Sequence, residues 1–561
     1  MSVVATAGHV DHGKSTLVRA LTGMEPDRWE AERRRGLTLD LGYAWTTLPG
    51  VGPVSFVDVP GHRRFIGNML SGLGPAAGVL LVVAADGGWS AQSEEHLRAV
   101  HALRLEHGLL VLTRSDLADP APTLGRARRL LRGTSLDGIP AVAVSARTGW
   151  GLDRLRTEIA DLVRRIPRAP ADAPVRLWVD RSFSVRGAGT VVTGTLPAGR
   201  VRPGDTLTLS PTPGGRSRSV VVRGVHSRDS AVEEATGPAR VALNLRGVEV
   251  AEVGRGQALL SPGHPWWWST AVDVLLDDDV LPAEVTAHVG TVAAPARLRS
   301  LDGLHARVTW GPELPLGPGD RLILRDPGRE GSMVGALVLD AVTPPLRRSG
   351  AARQRAAALE VAAGRTSVVG GRRVSTATAG AWRAAVDDLV ARRAARDPLT
   401  PWVGEEPALA DLRRNAGVPD LTTLRAVAGE AGLTPEGGRL VREGSPEGEP
   451  PGLAVLLRRL RADPLDAPSR PELAGLSFGP REVAAAARTA GVLRLPGDVL
   501  LGADAVDLTV RRLRSLPQPF TPAQARALLG TSRRVLVPLL EHLDNRGLTH
   551  RGADGRRRVA G

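Results

Sequence analysis

Gly8-His9-Val10-Asp11-His12-Gly13-Lys14-Ser15, followed by Thr16, fits G-x-x-x-x-G-K-[ST], a loop whose backbone N–H groups cradle phosphates. The chain carries 73 Lys+Arg, and Lys14 is the only lysine among them. A compact ammonium that reaches the β/γ-phosphates as a point charge is not replaceable by a planar guanidinium. The arginine-rich usage of the chain therefore stops where an ammonium is needed. Val3-Val4-Ala5 leads into the loop as a strand, and Ser15 to Thr22 reads as the helix behind it. Loop and helix N-terminus together offer N–H groups to phosphate, and the Ser15 hydroxyl is the expected magnesium ligand.

Residues 1–166 alternate short apolar runs with amphipathic helices, the pattern of a doubly wound α/β domain. The polar segment Arg33 to Asp40 contains Thr38, which can reach magnesium once a γ-phosphate orders the loop, and so can act as a switch. Pro53 to Val57 is a buried strand ending in Asp58-Val59-Pro60-Gly61-His62. Asp58 is placed to hold magnesium through water, and Gly61 to bring a backbone N–H close to the γ-phosphate. Two further strands, Leu109 to Leu112 and Ala141 to Val144, run into Thr113-Arg114-Ser115-Asp116 and Ser145-Ala146-Arg147. A carboxylate such as Asp116 accepts two hydrogen bonds from guanine N1 and N2, which adenine does not offer. Thr113 and Arg114 depart from the usual N-K-x-D motif, although the plane of Arg114 can still stack on a base. GTP or GDP with Mg2+ is the expected ligand set.

At 561 residues the chain has room for three to five domains, and its 42% apolar content is ordinary for a globular protein. No apolar run approaches the ~18–20 residues of a membrane span. A phosphate loop this near the first residue leaves no space for a secretory signal, so a cytoplasmic protein without a membrane partner is expected. Zero cysteines exclude disulfides and thiolate metal sites. Net charge is +14, and the last 53 residues hold 11 Arg against 3 acids, so over half of the excess lies on a tenth of the chain. That distribution is the electrostatic footprint of a nucleic-acid contact.

The motifs GHVDHGKST, RGLTLD, DVPGH and SA together resemble the GTPase domain of translational GTPases of the elongation factor Tu class. The resemblance covers residues 1–166. It implies that His62 orients the attacking water, and that Val10 and Leu37 form an apolar gate holding that histidine away until activation. Beyond a Pro- and Ala-rich linker, residues 175–262 show β alternation broken by turn signals, and residues 266–344 read as a second barrel. Trp266-Trp267-Trp268 reads as the start of the first strand of that barrel. Asp180-Arg181-Ser182-Phe183-Ser184-Val185 and Gly189 to Thr195 resemble the second domain of the same class.

Residues 345–561 hold an internal repeat. Ala431-Gly432-Leu433, Ala490-Gly491-Val492 and Arg546-Gly547-Leu548 each close a helix-rich stretch and open a hairpin whose turn contains glycine. Helices followed by a two-stranded wing at a period near 57 residues predict winged helices. The expected units are 345–447 (a degenerate unit plus the first clear one), 450–504 and 505–561. In the last, Thr521 caps a helix, Thr531-Ser532-Arg533-Arg534 opens the next, and the wing carries Arg551, Arg556, Arg557 and Arg558. Two basic clusters on adjacent elements suit the phosphates of a folded hairpin.

The composite resembles the selenocysteine-specific branch of the elongation factor Tu class. The fold expected is an α/β P-loop GTPase domain, two β-barrels and tandem winged-helix (α+β) domains. The resemblance implies a monomer that carries selenocysteinyl-tRNA on its first three domains, binds an mRNA hairpin through its terminal wings, and hydrolyses GTP on the ribosome. It places Arg181 and Arg240 in the selenocysteine pocket, with Asp180 orienting Arg181. Another tRNA-binding translational GTPase, or a GTP-gated winged-helix regulator, remains the alternative at this point.

Overall fold

Six strands form the sheet from which the phosphate loop hangs: β1 (Ser2–Ala7), β2 (Gly42–Leu48), β3 (Gly52–Asp58), β4 (Gly78–Ala84), β5 (Gly108–Thr113) and β6 (Ala141–Ala143). Their order is β2-β3-β1-β4-β5-β6, parallel throughout except for β2, which runs antiparallel to β3. The computed structural model describes residues 2–26, 40–211, 216–278, 280–362, 364–397, 399–400, 402–442 and 450–560. Leu37 and Thr38 lie outside the described residues.

The unbroken apolar runs of β1 and β4 follow from burial on both faces. Val3, Ala5 and Ala7 enter one core and Val4 the other, as the two-residue period of a strand requires. On the Val4 side lie Leu17, Val18 and Leu21 of α1 (Lys14–Thr22), packed with Leu155, Ile159 and Leu162 further along the chain. On the other side lie Met69 and Leu73 of α2 (Ile66–Leu73), with Leu97 and Val100 of α3 (Ala91–Ala102). Truncating a fully buried leucine such as Leu17 to alanine would cost about 2–5 kcal/mol, so the seat of the phosphate loop is rigid. The loops after β1, β3, β5 and β6 all emerge from the same edge of the sheet, where ligands bind in open α/β folds.

The two expected barrels differ. The strands from Trp267–Leu276 to Val334–Asp340 close into a six-stranded barrel. The strands from Arg176–Trp178 to Ala258–Leu260 wrap a core of Val and Leu as an eight-stranded sheet whose hydrogen bonding does not close, with a separate ribbon of Arg200–Val201 and Ala235–Thr236. Trp267 is buried in the closed barrel and its indole donates to the Arg373 carbonyl at 2.7 Å, so the tryptophan run is structural.

The chain divides into two compact units, 1–380 and 381–561. The stretch read as a degenerate wing contains a helix, Ala351–Ala362, and a hairpin of Thr366–Val369 and Arg372–Ser375. A buried ionic clasp holds them to the barrel. Arg355 donates to Asp273 at 2.8 Å, Asp340 at 2.9 Å and Thr378 at 2.9 Å, and Arg307 shares Asp273 at 2.7 Å. Both carboxylates are fully buried, and removing one partner would leave an uncompensated charge.

Among its described residues the second unit contains three helix-and-wing repeats. Their wings are Leu433–Glu436 with Arg439–Arg442, Val492–Leu495 with Val499–Gly502, and Thr549–Arg551 with Arg557–Val559. Gly437, Gly438, Gly497 and Gly555 take the left-handed backbone that these tight turns need. Val403–Gly404 adds a third strand to the first wing. Thr521 caps Pro522–Leu529 as expected, with Gln524 reaching back to complete a capping box. Among the described residues no helix is long and apolar enough to cross a membrane.

Candidate functional site

The phosphate loop leaves β1 at Gly8, whose φ of +139° only glycine adopts freely; a Cβ there would lie 2.2 Å from the Val82 carbonyl oxygen. Gly13, at φ +76°, turns the chain into α1. Lys14 is 3% exposed, and its ammonium donates to the Gly8 and His9 carbonyls at 3.0 Å each, across the mouth of the loop. His9 caps the short turn Val10–His12 by accepting from the Asp11 N–H. Thr16 continues the first turn of α1.

Asp58, at the end of β3, is fully buried and takes one hydroxyl on each oxygen, Thr6 and Ser15, both at 2.6 Å. Burial raises its pKa, opposed by Lys14 and by the two hydroxyls. Ser15 and Asp58 thus present adjoining oxygens. A hydroxyl and one carboxylate beside a phosphate cradle fit a hard divalent cation that keeps water and phosphate among its ligands. Gly61 packs against the loop so closely that a Cβ would sit 2.6 Å from the Val10 nitrogen and 2.7 Å from Lys14 Nζ. His62 is exposed, with its ring 6.1 Å from that of Phe65 and its Nδ1 accepting from the Arg64 N–H.

His96, on α3, is a residue that the motifs do not mark. Its Nδ1 accepts the Gly8 N–H at 3.0 Å, and its ring also hydrogen-bonds the Gly61 backbone. Burial, then Lys14, pushes its pKa down to about 3, so the ring is neutral and ties the phosphate loop to the segment around Gly61. His12 is likewise held neutral by burial, with a pKa lowered to about 4.

At the base-binding end, the Thr113 hydroxyl donates to the His12 carbonyl at 2.7 Å, locking β5 to the phosphate loop. Arg114 adopts a left-handed φ of +55° and donates to the Asp11 carbonyl at 2.5 Å, with Asp86 at 3.3 Å. Asp116 accepts from Arg147 Nε and from a terminal nitrogen at 3.1 and 2.9 Å. The Ser145 hydroxyl, and then Arg147, hold its carboxyl below the usual range. The loop carrying Ser145 and Ala146 is closed by Ser145 N–H to the Trp150 carbonyl and Gly149 N–H to the Ser145 carbonyl, both at 2.9 Å.

A second site of about 370 Å³ opens between β2 and the curled sheet. Tyr43, the only tyrosine of the chain, forms its floor, with the Arg240 guanidinium 3.8 Å and that of Arg181 5.4 Å from its ring centre. The pairing differs from the one expected. Asp180 does not orient Arg181; it binds Arg240 through both oxygens, steadied by the Thr193 hydroxyl at 2.7 Å. Neighbouring residues of an extended chain point to opposite sides, so Arg181 turns instead to Asp40 at 2.8 Å and the Leu41 carbonyl at 2.5 Å. Phe183 and Val185 supply exposed apolar surface on the wall beside them.

The terminal basic face is also narrower than the sequence implies. Arg533, Arg534, Arg551, Arg556 and Arg558 are exposed. Arg557 is 6% exposed: the alternation of the wing turns it inward, where it pairs with Asp544 at 2.9 Å while its backbone bridges Phe520. Arg534 donates to the Pro468 carbonyl at 2.8 Å and so ties two winged helices together.

Residues 1–165 match the family described as Elongation factor Tu GTP binding domain, and residues 511–558 match Elongation factor SelB, winged helix. The chain is 35% identical over 351 residues to a selenocysteine-specific elongation factor of Escherichia coli (strain K12), covering 62% of this chain and 56% of that one. It is 30% identical over 326 residues to an elongation factor 1-alpha of Methanopyrus kandleri, covering 51% of this chain and 77% of that one. A crystal structure of a bacterial selenocysteine-specific elongation factor superposes with a TM-score of 0.63 at 25% identity, covering 100% of both chains. The chain spans just over half the length of the curated selenocysteine-specific relatives it matches.

Proposed function

The chain belongs to the elongation factor 1-alpha and Tu family of translational GTPases, and from that premise we propose that it delivers selenocysteinyl-tRNA to the ribosome at UGA codons marked by an mRNA hairpin. The observation that carries this reading is the pocket around Tyr43, where Arg181, Arg228 and Arg240 stand in a wall that is largely apolar elsewhere. A selenol is more acidic than a thiol or a hydroxyl and is an anion at neutral pH. A cationic pocket favours it over the seryl group of the precursor tRNA, because an anion accepts stronger, charge-assisted hydrogen bonds from guanidinium groups than a neutral hydroxyl does.

Lys14 and the loop N–H groups hold the phosphates of GTP, Asp116 reads guanine, and Gly61 brings a backbone N–H to the γ-phosphate. Mg2+, where bound, neutralises phosphate charge, and Ser15 and Asp58 are the described residues that would hold it; Thr38 is the third candidate. His62 orients the water that attacks the γ-phosphorus, and the bridging oxygen leaves with GDP. Because this chemistry depends on positioning and electrostatics, a swing of an exposed histidine suffices as the trigger. Arg533, Arg551, Arg556 and Arg558 contact the phosphates of the hairpin. A ribosomal partner places the protein in the cytoplasm, acting as a monomer.

Protection of the aminoacyl ester tests this reading. With GTP, the full chain is expected to slow hydrolysis of selenocysteinyl-tRNA strongly and of seryl-tRNA little, and with GDP to protect neither. Equal protection of the two tRNAs contradicts it.

A further inference from the structure

Arg228 stands at the tip of the hairpin joining Arg218–Ser227 to Ser230–Val232. Ser227 pairs with Ser230, so the turn is only Arg228 and Asp229, at φ +54° and +57°. Such two-residue turns are the territory of Asn and Gly, and an arginine is held there against its own preference. Residues kept in sparsely populated backbone regions gather at functional sites.

The side chain of Arg228 lines the Tyr43 pocket together with Arg181 and Arg240. Asp180 saturates Arg240, and Asp40 engages Arg181. Asp229 lines the same pocket, and among the described residues no carboxylate pairs with Arg228. Nε of Arg228 is buried and has no hydrogen-bond partner among the described residues; Nε of Arg181 is in the same condition. Two buried N–H donors without a partner among the described residues thus belong to cationic side chains of one cavity lining, and leaving them unpaired is costly unless an acceptor reaches them.

We infer that Arg228 is a third cation of the pocket and a specificity-determining residue, donating its Nε–H, alongside that of Arg181, to an anionic side chain on the esterified amino acid. The inference rests on the delivery function proposed above. It assigns charge discrimination to the hairpin turn as well as to the Asp180–Arg240 pair. A hydroxyl can accept one of these bonds but leaves the added charge unmatched, so Arg228 acts on the selenolate and is nearly neutral toward serine.

Arg228→Asn is the decisive variant, because Asn suits the left-handed turn and removes only the cation. The full chain with GTP is assayed for ester protection of selenocysteinyl-tRNA and seryl-tRNA, with GTP affinity measured in parallel. The expected result is unchanged GTP binding, unchanged weak protection of seryl-tRNA, and about a ten-fold fall in protection of selenocysteinyl-tRNA, the size of one lost charge-assisted hydrogen bond. Arg228→Lys should recover part of the loss. Wild-type discrimination that persists undiminished in Arg228→Asn overturns the assignment and leaves the delivery reading standing. An equal loss for both tRNAs also overturns it, since that marks a role in the shape of the turn. A wild-type chain that fails to discriminate overturns both.

Discussion

Arg147 donates two N–H groups to a single oxygen of Asp116, at 3.1 and 2.9 Å. A guanidinium thereby offers this carboxylate the same pair of donors that guanine offers through N1 and N2. On the proposal that Asp116 reads guanine, this side chain stands where the base would bind and is displaced by nucleotide.

Replacing Arg147 with methionine is therefore expected to tighten GDP and GTP binding modestly, by about two- to five-fold, the scale of an exposed ion pair. Asp116→Ala should weaken both by about 100-fold through loss of two charge-assisted bonds. Titration with a fluorescent guanine nucleotide measures both. Weaker binding in Arg147→Met would show that the arginine supports the base and does not compete with it.

Lys14→Arg keeps the charge and should still lose nucleotide affinity by about 100-fold or more, because the fork of a guanidinium cannot replace a compact ammonium. The reason is local. Nζ lies 3.0 Å from two carbonyls and next to the position a Cβ on Gly61 would fill. Calorimetry with GDP measures the loss, with circular dichroism as the check on folding. Retained affinity would break the account of why this chain keeps one lysine.

Acid should loosen the nucleotide domain before carboxylates are titrated. His96 and His12 are neutral in the fold, with pKa values lowered to about 3 and about 4 from 6.5. The unfolded chain binds protons on them below pH 6.5 while the folded one does not, so stability falls as pH drops from 6.5 toward 4. The slope is about 1.4 kcal/mol per pH unit for each histidine. His96→Gln should flatten the fall of Tm over that window, at the cost of a lower Tm at pH 7.5. An unchanged slope would mean that His96 is not buried and neutral.

The terminal arginines divide into two kinds. Arg551→Gln, Arg556→Gln and Arg558→Gln should each weaken RNA hairpin binding, lower the salt dependence by about 0.7–0.9 in the log–log slope, and leave Tm unchanged. Arg557→Gln should instead destabilise its winged helix by about 2–3 kcal/mol, since it removes the charge partner of Asp544 and leaves that carboxylate the Thr549 hydroxyl. Filter binding at several salt concentrations and thermal melts separate the two. A salt slope lowered by Arg557→Gln with Tm unmoved would reverse the assignment.

The strand–loop–helix that carries Lys14, the wings and the Thr521 cap were all legible in the sequence. They depend on local rules: apolar period, glycine at tight turns and capping chemistry at fixed offsets. Pairings across the chain were not. Asp180 and Arg181 are adjacent, which suggests partnership, but an extended backbone sends them to opposite sides, and Arg240 arrives from 60 residues away. His96 carries no motif because its role is set by where α3 lies against Gly8 and Gly61. Arg557 sits among exposed arginines, and only its register in a three-residue strand turns it inward.

Reconstituted translation of a message with an in-frame UGA followed by its hairpin tests the central claim most directly. With selenocysteinyl-tRNA and GTP, the chain is expected to yield full-length product containing selenocysteine. Deleting the hairpin, or substituting His62→Ala, should leave termination at the UGA. Read-through that is indifferent to the hairpin, or equally efficient with seryl-tRNA, would contradict the account.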